Sequence, residues 1–169
     1  PSFFARNFGV VDGLFLGALF SHVALGAGIF LWARAAHSRL AGVVAAVMVG
    51  SLAPLVHLTR TVTFYPEMVA GCVLSAAGAM LALRYRSLSA VVFSSLTASL
   101  VLLLDVRGLL WALPAIGLTF VAVCLCRGWL RKGVGLGCLL GCLLASHTVG
   151  SRVNWDESPS LEQQTVYYV

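Results

Sequence analysis

Charge is what this sequence has least of. Only 10% of its 169 residues are charged, against 60% hydrophobic, and the mean hydropathy is +0.96. Soluble domains carry about 25% charged residues. A water-soluble fold of this length has no means of covering so much apolar surface, whereas lipid solvates it from outside. The composition therefore predicts an integral membrane protein, with no room for a second globular domain. Lysine is nearly missing: Lys132 stands alone beside ten arginines. The basic residues sit singly or in small groups at the ends of apolar runs, which is the pattern of topological anchoring. The net charge of +5 therefore does not point to nucleic acid.

Other absences narrow the class further. Barrel strands would alternate apolar and polar residues over about ten positions; the runs here are apolar on every side, which excludes a barrel and leaves helices. Enzyme signatures are missing: there is no G-x-S-x-G, no H-E-x-x-H, no P-loop and no paired acids within an apolar run. Ser21–His22 and Ser146–His147 are adjacent in sequence, so on a helix their side chains diverge by about 100° and form no dyad. The five cysteines, Cys72, Cys124, Cys126, Cys138 and Cys142, lie in or beside apolar runs and lack zinc-site spacing. They read as small buried thiols. No signal-peptide pattern follows the lone Arg6. Pro1 fits either removal of an initiator methionine or a processing boundary.

What is present is a series of six apolar runs: Val10–Ala33, Leu40–Leu58, Met68–Leu83, Leu88–Leu104, Leu109–Cys126 and Val134–Val149. The fourth is rich in hydroxyls, with Ser94, Ser95, Thr97 and Ser99. A spanning helix needs about 17–25 residues, and flanking residues complete the shorter runs. The expectation is an all-α bundle of six transmembrane helices over residues 1–150, followed by a polar tail over 151–169.

Charge gives the orientation. The side reached after runs one, three and five (side A) carries Arg34, Arg39, Arg84, Arg86, Arg127, Arg131 and Lys132 and no acid. The other side (side B) carries Arg6, Arg60, Arg107 and Arg152 with all six acids. The positive-inside rule makes side A cytoplasmic (or its organellar equivalent) and places both termini on the non-cytoplasmic side. Trp32, Tyr85 and Trp129 at side A, and Phe64, Tyr65, Trp111 and Trp155 at side B, fit interfacial belts. Arg60, Arg107 and Arg152 close the three hairpins at spacings of 47 and 45 residues. Either duplication of a hairpin or topology alone would produce that rhythm.

Candidate functional residues fall into three groups. Near side B, Asp12, His57, Arg60, Glu67, Asp105 and His147 would form a polar layer, with ion pairing as one reading and a proton or solute entrance as the other. His22, in the middle of run one, is a polar ring that should face the bundle interior or a partner. Small residues at four-residue spacing, Gly13 and Gly17, Gly42, Ala46 and Gly50, and Gly137 and Gly141, allow close helix approach. They serve packing within the chain or docking to another subunit. His57 and His147, near the same ends of their runs, are the pair that would hold a haem through two imidazoles. Otherwise no cofactor is expected beyond bound lipid.

Within run three, CVLSAAGAML (Cys72–Leu81) resembles the small-residue third helix of a membrane subunit of respiratory complex I. The likeness covers ten residues. The acidic residue that family carries in its last helix is missing, so no residue role is carried over. The function expected is a non-catalytic membrane subunit of a larger, energy-converting complex. The alternatives are a small-solute or proton transporter component and a haem-binding electron carrier. The expected location is a bacterial plasma membrane or a mitochondrial inner membrane.

Overall fold

The computed structural model describes residues 10–51, 65–104, 108–126 and 128–150, and all elements there are helical. Six helices follow in order: α1 (Val10–Ala36), α2 (Arg39–Ser51), α3 (Tyr65–Tyr85), α4 (Leu88–Leu104), α5 (Gly108–Leu125) and α6 (Trp129–Gly150). Three segments are long and apolar enough to cross a membrane: Leu16–Ala36, Glu67–Tyr85 and Trp129–Val149. The apolar helices α2, α4 and α5 have shorter described ranges. The helices match the six apolar runs to within a few residues at most boundaries. The second run continues to Leu58, and its end lies outside the described residues, as does the tail.

Local chemistry explains the turns. Between α1 and α2 only His37 and Ser38 intervene; the Ser38 hydroxyl accepts from the Ala41 N–H at 3.2 Å, an N-cap that satisfies one orphan donor of α2. Between α3 and α4, Arg86 takes the left-handed conformation (φ 49°) that commonly ends a helix. Gly128 does the same before α6 at φ 96°, where the missing Cβ removes the strain. Arg84 donates to the carbonyl of Ala35, in the last turn of α1, where no intrahelical donor remains. α6 begins at Trp129, which sets Arg131 and Lys132 in its first turn. That is an unfavourable end of the helix dipole for a cation.

The helices form a connected row. α2 packs on α1 alone; α1 packs on α3; α3 packs also on α4 and α5; α6 closes the other end against α4 and α5. Chain neighbours are antiparallel: Gly42 meets Phe30, while Gly50 meets His22. Gly71 meets Val101, while Gly78 meets Phe93 and Ser94. Non-consecutive neighbours are parallel. Gly28 lies against Val73 and Leu74, and Ala35 is reached from Arg84. An alternating up-and-down chain requires that pattern.

α3 is the hub, and small residues let it be one. A Cβ on Gly28 would meet Val73 Cγ1 at 2.9 Å, and one on Gly78 would meet the Ser94 backbone nitrogen at 3.0 Å. Around α3, α4 and α5 the core has two apolar clusters. One holds Ala82, Val91, Ala122 and Val123 towards the α3–α4 turn. The other holds Met68, Val101 and Ala112 towards the opposite end.

Candidate functional site

Between those two apolar clusters lies a layer of hydroxyls. Ser75, Ser94 and Thr119 come from α3, α4 and α5, and each is at most 1% exposed. Ser75 Oγ donates to the Ser94 carbonyl at 3.0 Å, and Ser94 Oγ donates to the Ser75 carbonyl at 2.8 Å. Thr119 Oγ1 lies 2.6 Å from Ser94 Oγ and 2.7 Å from the Ala115 carbonyl. With the Ser75 and Ser94 protons committed to carbonyls, the Thr119 proton has both remaining acceptors in reach, and no hydroxyl is left unpaired. Each carbonyl keeps a second lone pair for its own helix. The layer therefore ties three helices together at no cost to their backbone bonds. Ser99 adds a fourth tie, donating to the Cys142 carbonyl of α6 at 2.9 Å. Ser21, Ser95 and Thr97 bond back to their own helices instead, the usual way to hide a hydroxyl where no water is at hand.

The hydroxyl richness of run four is plain in the sequence, but its link to run three is not. The signal that points to it is Gly71, Ser75 and Gly78, a small-residue stripe at i, i+4 and i+7.

Of the polar residues expected near side B, the structure describes some side chains and not others. His57, Arg60 and Asp105 lie outside the described residues. Asp12 sits in α1, as does Gly13, and only their backbones are described. His147 is in the last turn of α6 and is exposed. α2 and α6 stand at opposite ends of the row and do not touch among the described residues.

His22 and Glu67 are the two that turn inward. His22 Nε2 lies 3.3 Å from the carbonyl oxygen of Gly50. A carbonyl only accepts, so Nε2 carries the proton and Nδ1 keeps its lone pair. The sequence shows why that carbonyl is open to an imidazole. Its regular helical donor would be the N–H of residue 54, and residue 54 is proline, which has none. His22 Nδ1 and Glu67 Oε2 are both buried without a hydrogen-bond partner among the described residues. Although His22 is central in α1, it faces the last residues of α2's described range and not the middle of that helix.

The small-residue stripes divide into two kinds. Gly42 is buried, and a Cβ there would meet the Phe30 carbonyl at 2.8 Å. Gly50 lies against His22, and Ala46, half-buried, falls between them on the same face. This stripe is spent on α1. Gly17 is buried too. Gly137 and Gly141 are exposed, and a Cβ on either would meet nothing within 4 Å. Gly133 extends the same stripe by one turn and is equally open, with exposed Ala145 continuing it.

The cavities are shallow. One groove, of about 390 Å³, runs between α5 and α6 beside Phe120, Cys124 and Leu136. No group of three His, Cys, Asp or Glu side chains converges among the described residues. No family model, no curated protein and no solved structure matches the chain.

Proposed function

We propose that this chain is a multi-pass membrane subunit, with all six helices crossing the bilayer and both termini on the non-cytoplasmic side. Its role is to assemble with, and stabilise, a larger membrane complex of the energy-converting class, in a bacterial plasma membrane or a mitochondrial inner membrane. The observation that supports this reading most is the open stripe Gly133, Gly137, Gly141 on α6. The other described stripes are filled by the chain's own helices, and in lipid a small-residue face is useful only when another helix closes on it. The apolar exposure of Leu130, Leu140 and Leu144 on α6, and of Leu40, Val43 and Val47 on α2, fits surfaces turned to lipid or to further subunits.

A purification from native membranes in mild detergent tests it. The chain is expected to migrate with partner subunits. Gly137→Leu combined with Gly141→Leu is expected to release it while leaving its own thermal unfolding unchanged, since both positions face open space. A chain that runs alone as a stable monomer overturns the proposal. A C-terminal tag reachable only from the cytoplasm overturns the orientation.

A second reading, a small-solute or proton transporter component, draws on the inward-facing atoms of His22 and Glu67. Against a complete pathway, the apolar segments 40–51 and 88–104 carry no ionisable side chain at all, and a relay needs such groups across the whole membrane.

A further inference from the structure

The groove between α5 and α6 differs in character from one end to the other. The two helices meet at Val123 and Gly135, where a Cβ on the glycine would lie 3.1 Å from Val123 Cγ2. Beside that contact they leave an open groove of about 390 Å³. Cys124, Trp129 and Lys132 line it near the α5–α6 turn, and Phe120 and Leu136 line it farther along the helices. From Trp129 to Leu136 the groove follows α6 for about 10 Å, at 1.5 Å per residue. The hydrocarbon of one leaflet is about 15 Å deep. The membrane-crossing segment of α6 begins at Trp129. The groove therefore opens at the level of the headgroups and runs down among the acyl chains of that leaflet.

Lys132 is the charged residue of the groove, and it is exposed. The helices around it bring no acid to pair with it: α4, α5 and α6 carry none, and the sequence has none between Asp105 and Asp156. Asp105 precedes α5 and Asp156 follows α6, each beyond the end of its helix that is remote from this turn. Glu67 is in the first turn of α3, again at the opposite end of the row from the start of α6. An anion for Lys132 must come from outside the chain.

We infer that this groove binds one anionic phospholipid, with the headgroup phosphate on the Lys132 ammonium and an acyl chain laid along Phe120, Cys124 and Leu136. The occupant has to satisfy both ends. An apolar helix seated there would cover the ammonium without pairing it, which is costly. A free inorganic anion would leave the apolar walls unfilled. A zwitterionic headgroup brings an ammonium of its own, and no acid is present to receive it. The start of α6 also favours negative charge through its dipole, and a phosphate there offsets the two cations, Arg131 and Lys132, of its first turn. Gly137 and Gly141 are not among the walls, so the site does not rest on the assembly role proposed above.

The test uses the purified full chain in mild detergent and native mass spectrometry, with phosphatidylglycerol or phosphatidylcholine of identical acyl chains added. Phosphatidylglycerol is expected to be retained more strongly than phosphatidylcholine. Lys132→Gln is expected to lower its retention about fivefold, the factor for one basic side chain near an anionic surface. Arg131→Gln removes the same charge from the adjacent residue, which does not line the groove, and is expected to leave retention unchanged. Cys124→Trp fills the groove and is expected to reduce the binding of both lipids. All three positions are exposed, and the unfolding temperature of each variant separates lost binding from lost fold. Equal retention of the two lipids by the parental chain overturns the inference. So do equal losses in Lys132→Gln and Arg131→Gln, which would reflect net charge and not the groove. Displacement of phosphatidylglycerol by an equal concentration of inorganic phosphate overturns it as well, since the acyl chain would then contribute nothing.

Discussion

Gly78→Leu is expected to keep the bundle from assembling. At this position α3 and α4 touch through their backbones: an added Cβ would lie 3.0 Å from both the nitrogen and the Cβ of Ser94 and 2.9 Å from the Phe93 ring. A side-chain clash can be relieved by a change of rotamer, at a cost of typically about 1–3 kcal/mol. A clash with backbone cannot, so the helices must separate. Separation also breaks the reciprocal Ser75–Ser94 bonds one turn away and opens α3, the hub of the row, to lipid. Native stability is only about 5–15 kcal/mol in total, so the combined loss is expected to leave no monodisperse protein in mild detergent. Gly78→Ala should give an intermediate result, with reduced yield and a lowered Tm. Thermal unfolding of the Gly78→Leu chain beside the variant combining Gly137→Leu with Gly141→Leu makes the comparison internal: the same residue change lowers the stability of the chain where the stripe is filled and leaves it unchanged where the stripe is open. A Gly78→Leu protein with the parental profile and Tm would show that α3 and α4 do not meet here.

The second large effect is expected at Ser94. Its hydroxyl is shared by three helices, bonding the Ser75 carbonyl at 2.8 Å and the Thr119 hydroxyl at 2.6 Å. In membrane interiors a single interhelical hydrogen bond averages about 0.6 kcal/mol and reaches about 1.7. Ser94→Ala removes the donor to α3 and the acceptor for Thr119, and is expected to cost about 1–2 kcal/mol on that scale. Ser94→Val should be worse by about a further 1–3 kcal/mol, because it adds bulk where Gly78 makes room for none. The sharper measurement is the cycle with Thr119→Val. Residues that share a network are non-additive, so the double variant Ser94→Ala, Thr119→Val is expected to lose less than the two single losses together. Additive losses would mean that the two hydroxyls do not interact.

Much of the fold is legible in the residues themselves. The helices and their ends follow from local chemistry: hydropathy, the Arg-bearing turns at Arg34–Arg39 and Arg84–Arg86, and the serine that caps α2. The candidate site is legible only in part. His22 is recognisable as a polar ring in an apolar run, yet its level is not, because depth counted along one helix says nothing about how far its neighbours are shifted. Only the packing shows that it meets the end of the described range of α2, at the Gly50 carbonyl. The acceptor it finds, the Gly50 carbonyl, is implicit in Pro54 four residues on.

The sequence by itself determined the class of object: an apolar, helical, membrane-type chain whose small residues would set how closely the helices approach. Tertiary structure alone decided which of those residues meet. Lipid and protein interior are nearly equally apolar, so hydropathy cannot mark the face of a helix that is buried. Gly42 and Gly137 look alike in sequence. One is filled by Phe30 and the other is open. Gly71, Ser75 and Gly78, scattered through run three, are what lets α3 close on α4. Which face packs is set by complementarity between pairs of helices distant in the chain, and that information exists only once they are side by side.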